Sequence, residues 1–392
     1  MKLFILSDSY WPLRGGIEET VRLLAALLPS RFEVKLAVHL NRPVSQGLFH
    51  RYASCKSQNQ YRDPSGKPVS VLNTSFLEYL ILLPLLLWQF PFLRRIGPAR
   101  FYDTLYFPYR LVFKRRIADF LKEADVVHCY STGYLARCAQ QVCAELGKPL
   151  VQTPAIHFGR WGDSPGQMEA YGRSDAVVCF TRSFRREFLS RLNGLQPRTE
   201  IIAPIVQQPQ RVHLPRPLIG ERFVLFIGRR EAHKGLCELV EAFKHLPGSA
   251  VLAVAGPGPA VNGTENVVDL GVVDEKEKKW LLEHCECLCV PSRDETFGIV
   301  YAEAMSYGRP VVALDVAPVN EIVRDGVEGI LLSGADPEKL CRALKTMLDD
   351  EGKRRSMGEA ARERFERNYS PVRTVGAVES LYEGVAAGKP RG

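Results

Sequence analysis

Several absences narrow the reading of this 392-residue chain. No apolar run reaches the roughly 20 residues that a membrane-spanning helix needs. The opening MKLFILSDSYW carries only a short apolar run before Asp8, so no secretory leader is expected. None of the ten cysteines forms a Cys-x-x-Cys pair, which disfavours a zinc ribbon or a thioredoxin-type redox site. Cys285, Cys287 and Cys289 alternate, so they are expected on one face of a strand, where successive rungs converge poorly on a metal. Thiols without a leader suit a reducing, cytoplasmic location. No strand-like segment runs into Gly-x-Gly-x-x-Gly, and the Gly-Pro-Gly-Pro of residues 256–259 is a different pattern, which disfavours a dinucleotide oxidoreductase. An Asp-x-Asp metal pair at a strand end is also missing, which fits a chain expected to use neither a metal nor another cofactor.

What is present is globular: 46% hydrophobic and 24% charged residues. The net charge of +8 is unevenly spread, because residues 1–120 hold 17 Lys and Arg against 8 Asp and Glu. A basic first third on a near-neutral remainder suits an anionic surface or substrate met by one lobe. Nucleic acid is disfavoured, since these charges flank an aliphatic run rather than interleaved aromatics.

Short β-branched runs alternate with helical patterns, the signature of parallel α/β architecture. Strands are expected at 2–7, 34–39, 126–130, 150–155, 176–181 and 200–204, then at 222–228, 250–256, 267–271, 287–292, 311–316 and 329–333. The proline-rich QQPQRVHLPRPLIGE between the two sets reads as a linker. The fold expected is therefore two Rossmann-like domains with a cleft between them: 1–205, a hinge at 206–221, and 222–370, followed by a segment 371–392. One stretch breaks the alternation. YLILLPLLLWQFPFL (79–93) carries no charge and holds Trp88, and Arg94, Arg95, Lys114, Arg115 and Arg116 follow it. Within an insertion at about 76–116, this is either a buried hairpin or a segment lying on an anionic membrane surface.

Two loops attract chemistry. Strand 222–228 ends in GRREAHKG, where Arg229 and Lys234 can bring a planar fork and a point charge to one diphosphate. Such cations stabilise a nucleoside diphosphate as it departs with added negative charge. After strand 287–292 comes DETFGIVYAE. The helix starting near Gly298 offers free N–H groups, Glu295 lies just outside it, and Glu303 lies in its second turn. Carboxylates accept well from the paired hydroxyls of sugars and ribose. The plainer alternative makes Glu295 a charge that complements the helix dipole.

The run PSRDETFGIVYAEAMSYGRPVVA resembles the nucleotide-sugar signature of family 4 retaining glycosyltransferases of the two-Rossmann, GT-B architecture. Glu295 and Glu303 fit its Glu, seven residues, Glu spacing. GRREAHKG is similar to the family's diphosphate loop, and WPLRGGIEE to its glycine-rich loop near the N-terminus. The resemblance covers nearly all of residues 1–385 and is weakest over 43–115. It implies retaining transfer of a hexosyl group from a nucleoside diphosphate sugar to an acceptor hydroxyl, without a metal. Arg229 and Lys234 would hold the diphosphate. Glu295 and the backbone of Thr296, Phe297 and Gly298 would hold the sugar, and Glu303 the ribose. Gly15 and Gly16 would approach the phosphates, Gly271 and Val272 would border the base, and His157 would approach the sugar. Residues 371–392 would form a helix returning to the N-terminal domain. The insertion favours a lipid-linked or phospholipid acceptor, with the protein peripheral on the membrane's inner face. A soluble acceptor, a nucleotide-sugar epimerase and a non-catalytic nucleotide-sugar-binding protein are the alternatives.

Overall fold

The computed structural model describes residues 1–13, 15–40, 48–53, 59–90, 92, 98–214, 219–246, 248, 250–261 and 265–388. The chain divides into two compact units, Met1–Ile205 with Val375–Gly392, and Val206–Thr374.

In the first unit eight strands form one sheet: β1 (Lys2–Ser9), β2 (Glu33–Leu40), β3 (Gln60–Arg62), β4 (Pro68–Val71), β5 (Val126–Tyr130), β6 (Leu150–Gln152), β7 (Ala176–Cys179) and β8 (Arg198–Ile201). Their order is β3-β4-β2-β1-β5-β6-β7-β8, parallel throughout except for the β3–β4 pair. Continuous apolar runs suit such a sheet because helices cover both faces, and Leu3 to Leu6 of β1 are all buried. Leu3 pairs with Val34 on one side and Val126 on the other. The last helix, Pro371–Ala386, sets Val375, Val378, Leu381, Tyr382 and Val385 against Leu3, Ile5 and Val126. His128 on β5 fastens it. The Tyr382 hydroxyl lies 2.5 Å from Nδ1 and the Thr153 hydroxyl 2.7 Å from Nε2.

The second unit holds β9 (Phe223–Ile227), β10 (Val251–Ala255), β11 (Val267–Gly271), β12 (Cys287–Cys289), β13 (Val311–Leu314) and β14 (Gly329–Leu332). All are parallel, in the order β11-β10-β9-β12-β13-β14. The order reverses between β9 and β12, and doubly wound sheets bind ligands beyond the carboxyl ends of strands at such a point. Of the three alternating thiols only Cys287 and Cys289 belong to β12. Cys285 instead ends the preceding helix, and burial pushes its thiol up to about 12.

The insertion folds into a helix at Phe76–Leu82, a 3-10 stretch at Leu83–Gln89 and helices at Pro98–Thr104 and Tyr106–Leu121. Ser75 and Glu78 form a capping box at the first of these. Leu82 and Leu85 turn inward, whereas Phe76 and Leu77 are 73% and 71% exposed and Phe107 and Leu111 are 63% and 58% exposed. Among the described residues, no helix is long and apolar enough to cross a membrane.

Candidate functional site

The loops leaving β9 and β12 meet in the second unit. After β9 the chain passes Gly228 and Arg229 and makes a short 3-10 turn, Ala232–Lys234. It then reaches Gly235, whose φ of +71° opens the helix Leu236–Lys244. A Cβ at Gly235 would run into the Pro291 carbonyl at the end of β12, so glycine permits the two loops to touch. That contact delivers Lys234 Nζ to Glu295 Oε1 at 2.7 Å, with side chains 14% and 10% exposed. Both residues were expected at the donor, but not as partners of each other. An ammonium carries three N–H donors, so one can hold Glu295 while the others remain for phosphate oxygens.

Arg229 projects further out and pairs with Glu231 at 2.6 Å. Beside it, burial and then the Lys234 charge push His233 below its ordinary 6.5. Arg293 Nη2 bonds Glu238 at 2.5 Å, tying the β12 loop to the helix that follows Lys234.

Beyond Glu295, the helix Ile299–Ser306 begins at Gly298, with φ +87° and no side-chain cap. A Cβ there would stand 2.5 Å from the Tyr301 ring. Tyr301 is itself fixed by donating to the Val290 carbonyl at 2.8 Å. The uncapped N–H groups at this helix start form a polar cradle. Thr296 is partly exposed there, whereas the Phe297 ring is buried in the unit's own core, 5.8 Å from Tyr369. Glu303 stands in the second turn, where Lys278 Nζ donates to Oε1 at 2.9 Å. Gly271 ends the edge strand β11 and Val272 is 70% exposed beside it. Asp269 shapes this corner: it accepts from the Gly271 N–H at 2.9 Å and from Arg230. That arginine bonding holds the Asp269 carboxyl well below the usual carboxylate range.

The remaining sequence candidates lie in the first unit. Gly15 precedes the helix Gly16–Leu27 in extended conformation, following β1 at that sheet's own reversal between β1 and β5. His157 occupies a tight loop after β6, its ring 4.3 Å from Trp161. In the insertion, Trp88 stacks on Phe101 and meets Tyr102 edge-on, so its ring rests on protein. Arg116 bonds Glu78 at 2.6 Å and clamps one insertion helix to another, and Lys114 pairs with Glu145 at 2.5 Å. Arg115 is exposed. Arg94 and Arg95 lie outside the described residues.

Sequence reasoning missed the residues that hold the site rather than form it: Glu231, Arg230 and Lys278. Lys278 left one trace, its i, i+3 spacing from Glu275 on a helix surface. Its reach to Glu303 has no local signal.

Residues 215–364 match the family model described as "Glycosyl transferases group 1", a span that includes both loops. A D-inositol 3-phosphate glycosyltransferase of Xylanimonas cellulosilytica is 31% identical over 229 residues, 50% of this chain and 54% of that protein. An O-antigen chain mannosyltransferase C of Escherichia coli is 28% identical over 183 residues, 44% and 49% of the two chains. The chain thus spans about half the length of these curated relatives. Among solved structures, Anabaena HepE in complex with UDP-glucose superposes with a TM-score of 0.70 at 17% identity, over 98% of this chain and 100% of that one. That likeness establishes the fold, the two-domain GT-B architecture of Rossmann-like units.

Proposed function

We propose that the protein is a glycosyltransferase that moves a hexosyl group from a nucleoside diphosphate sugar to an acceptor hydroxyl, with retention at the anomeric carbon. The observation that carries this reading is the Lys234–Glu295 contact at the reversal point of the second sheet, with Arg229 on the same loop as Lys234. Cation and carboxylate side by side suit a diphosphate joined to a sugar: the ammonium faces the charge and the carboxylate accepts sugar hydroxyls. Glu303 lies on the helix that follows Glu295, for the ribose. The bond from the anomeric carbon to the diphosphate oxygen breaks as the acceptor oxygen bonds that carbon. The acceptor proton passes to the departing phosphate oxygen. Lys234 and Arg229 supply positive charge where the leaving group develops negative charge, and this route requires no metal ion. The match to the group 1 model and the glycosyltransferase names of the relatives support an enzyme of this class.

For the acceptor we propose a lipid-linked or phospholipid molecule at an anionic membrane surface. The exposed Phe76 and Leu77, and Phe107 and Leu111 on a helix that also exposes Arg110 and Arg115, support it. A soluble acceptor is the second reading, favoured by the name of the inositol 3-phosphate relative.

The test is a panel of UDP-, GDP- and ADP-sugars screened by thermal shift. Stabilising donors are then incubated with membrane lipid, with soluble inositol phosphate, or with no acceptor. One donor is expected to stabilise the protein and to glycosylate lipid, with the donor's anomeric configuration kept in the product. An inverted product overturns retention, glycosylation of the soluble acceptor alone overturns the lipid reading, and an altered sugar nucleotide formed without acceptor points to an epimerase.

A further inference from the structure

Lys278 lies on the helix Glu275–His284, which begins at the Asp274 capping box two residues beyond Val272. Its neighbours behave as lysines of an exposed helix do: Lys279, for one, reaches outward to the Gln210 side chain at 2.8 Å. Lys278 turns inward and is only 20% exposed, unusual for this residue type without a partner. Its Nζ lies 2.9 Å from Glu303 Oε1 and 3.3 Å from Glu275 Oε2. Burial opposes its charge, but the two carboxylates outweigh burial and hold the ammonium protonated.

A glutamate carboxylate on a helix rotates about three side-chain bonds, and freezing it on a ligand costs part of the binding energy. Glu303 is already held in the free protein, because Lys278 grips one oxygen and leaves the other to accept. From this geometry we infer that Lys278 is a positioning residue that presents the Glu303 carboxylate to the ribose diol of the donor, and so sets the preference for ribose over deoxyribose. This rests on the reading of Glu303 as the ribose acceptor. The cation belongs to the specificity of the site, distinct from Lys234 and Arg229 at the leaving group.

The experiment measures binding of whichever of UDP, GDP or ADP stabilises the protein most, together with its 2′,3′-dideoxy analogue, to the full chain and three variants. The unmodified protein is expected to prefer the ribonucleotide by about tenfold, the worth of a hydrogen bond to a charged acceptor. Lys278→Met is expected to shrink that preference to about twofold by weakening the ribonucleotide alone, and Lys278→Arg to restore much of it. Glu303→Gln, which keeps the shape, reports on the underlying reading. If Lys278→Met keeps the full preference while Glu303→Gln loses it, the positioning role is overturned. Equal weakening of both nucleotides by Lys278→Met makes the lysine a structural brace only and also overturns it. If Glu303→Gln itself keeps the preference, the ribose role of Glu303 fails instead. Should Lys278→Met melt below the assay temperature, the same two nucleotides are compared on that variant below its melting point, and an undiminished ratio there overturns the positioning role.

Discussion

Lys234 is held by Glu295 at 2.7 Å inside a largely closed contact, so replacing either residue changes two things at once. Under the proposed mechanism, Lys234→Met removes the cation from the departing diphosphate, and it strands a largely buried carboxylate. We expect kcat/KM for sugar transfer to fall by about 10²–10³, on the scale of one preorganised donor removed from a developing anion. The melting temperature is expected to fall as well, because breaking one side of a buried pair leaves the other uncompensated. Lys234→Met combined with Glu295→Gln should recover most of the melting temperature and none of the turnover, which separates the structural from the catalytic share. Turnover kept in the single variant would remove the leaving-group role. Gly298 gives a second residue-level expectation. Alanine at φ +87° is strained, and its methyl meets the Tyr301 ring at 2.5 Å, so Gly298→Ala should cost about 1–3 kcal/mol in denaturant unfolding.

Among elements, the C-terminal helix Pro371–Ala386 depends on a histidine buried in another strand. Burial lowers His128 to about 3, and His39, buried on β2, likewise to about 3. An unfolded imidazole titrates near 6.5. Below that pH the unfolded chain takes up protons that these folded sites refuse, so stability present above pH 6.5 is lost as pH falls toward 3. The loss is at most about 1.4 kcal/mol per pH unit for each histidine. Urea unfolding at about pH 7 and about pH 5 should show this acid slope, and His128→Gln should flatten its share. An unchanged slope would show that His128 does not stay neutral in the fold. Elements also differ in how plainly the sequence announces them. The twelve apolar β-branched runs all become strands: inner ones such as β5, β10 and β13 are buried throughout and need no alternation, while the edge strands β8 and β11 are only partly buried. β3 and β4 were not read. Gln60–Arg62 and Pro68–Val71 are short and mixed in polarity, and pairing rather than composition makes them strands: β4 pairs with β2, and β3 with β4.

For the molecule as a whole, the charge of +8 and the exposed apolar face of the insertion make membrane contact the property to measure. Flotation with vesicles should carry the protein up when the lipid is anionic, and high salt should release it. Phe76→Ser with Leu77→Ser should abolish flotation without lowering the melting temperature, since neither side chain is buried. Trp88→Ala should lower the melting temperature instead, because that ring packs on Phe101 and Tyr102. Equal recovery with neutral and anionic vesicles would count against the surface proposed here.

Periodicity, turn chemistry and motif spacing are local properties, and from them the sequence alone determined the α/β class, the twelve main strands, the loops that carry Arg229, Lys234 and Glu295, and the helix that carries Glu303. Which residues meet was decided only by tertiary structure. Lys234 and Glu295 stand 61 positions apart, and Lys278 and Glu303 stand 25 apart. They become partners because the strand order sets β9 against β12 and packs the helix before β12 beside the helix after it. The direction of each aromatic in the insertion belongs to the same category. An uncharged run reads alike whether it faces protein or water, and only the packing of Trp88 inward and Phe76 outward tells the two apart.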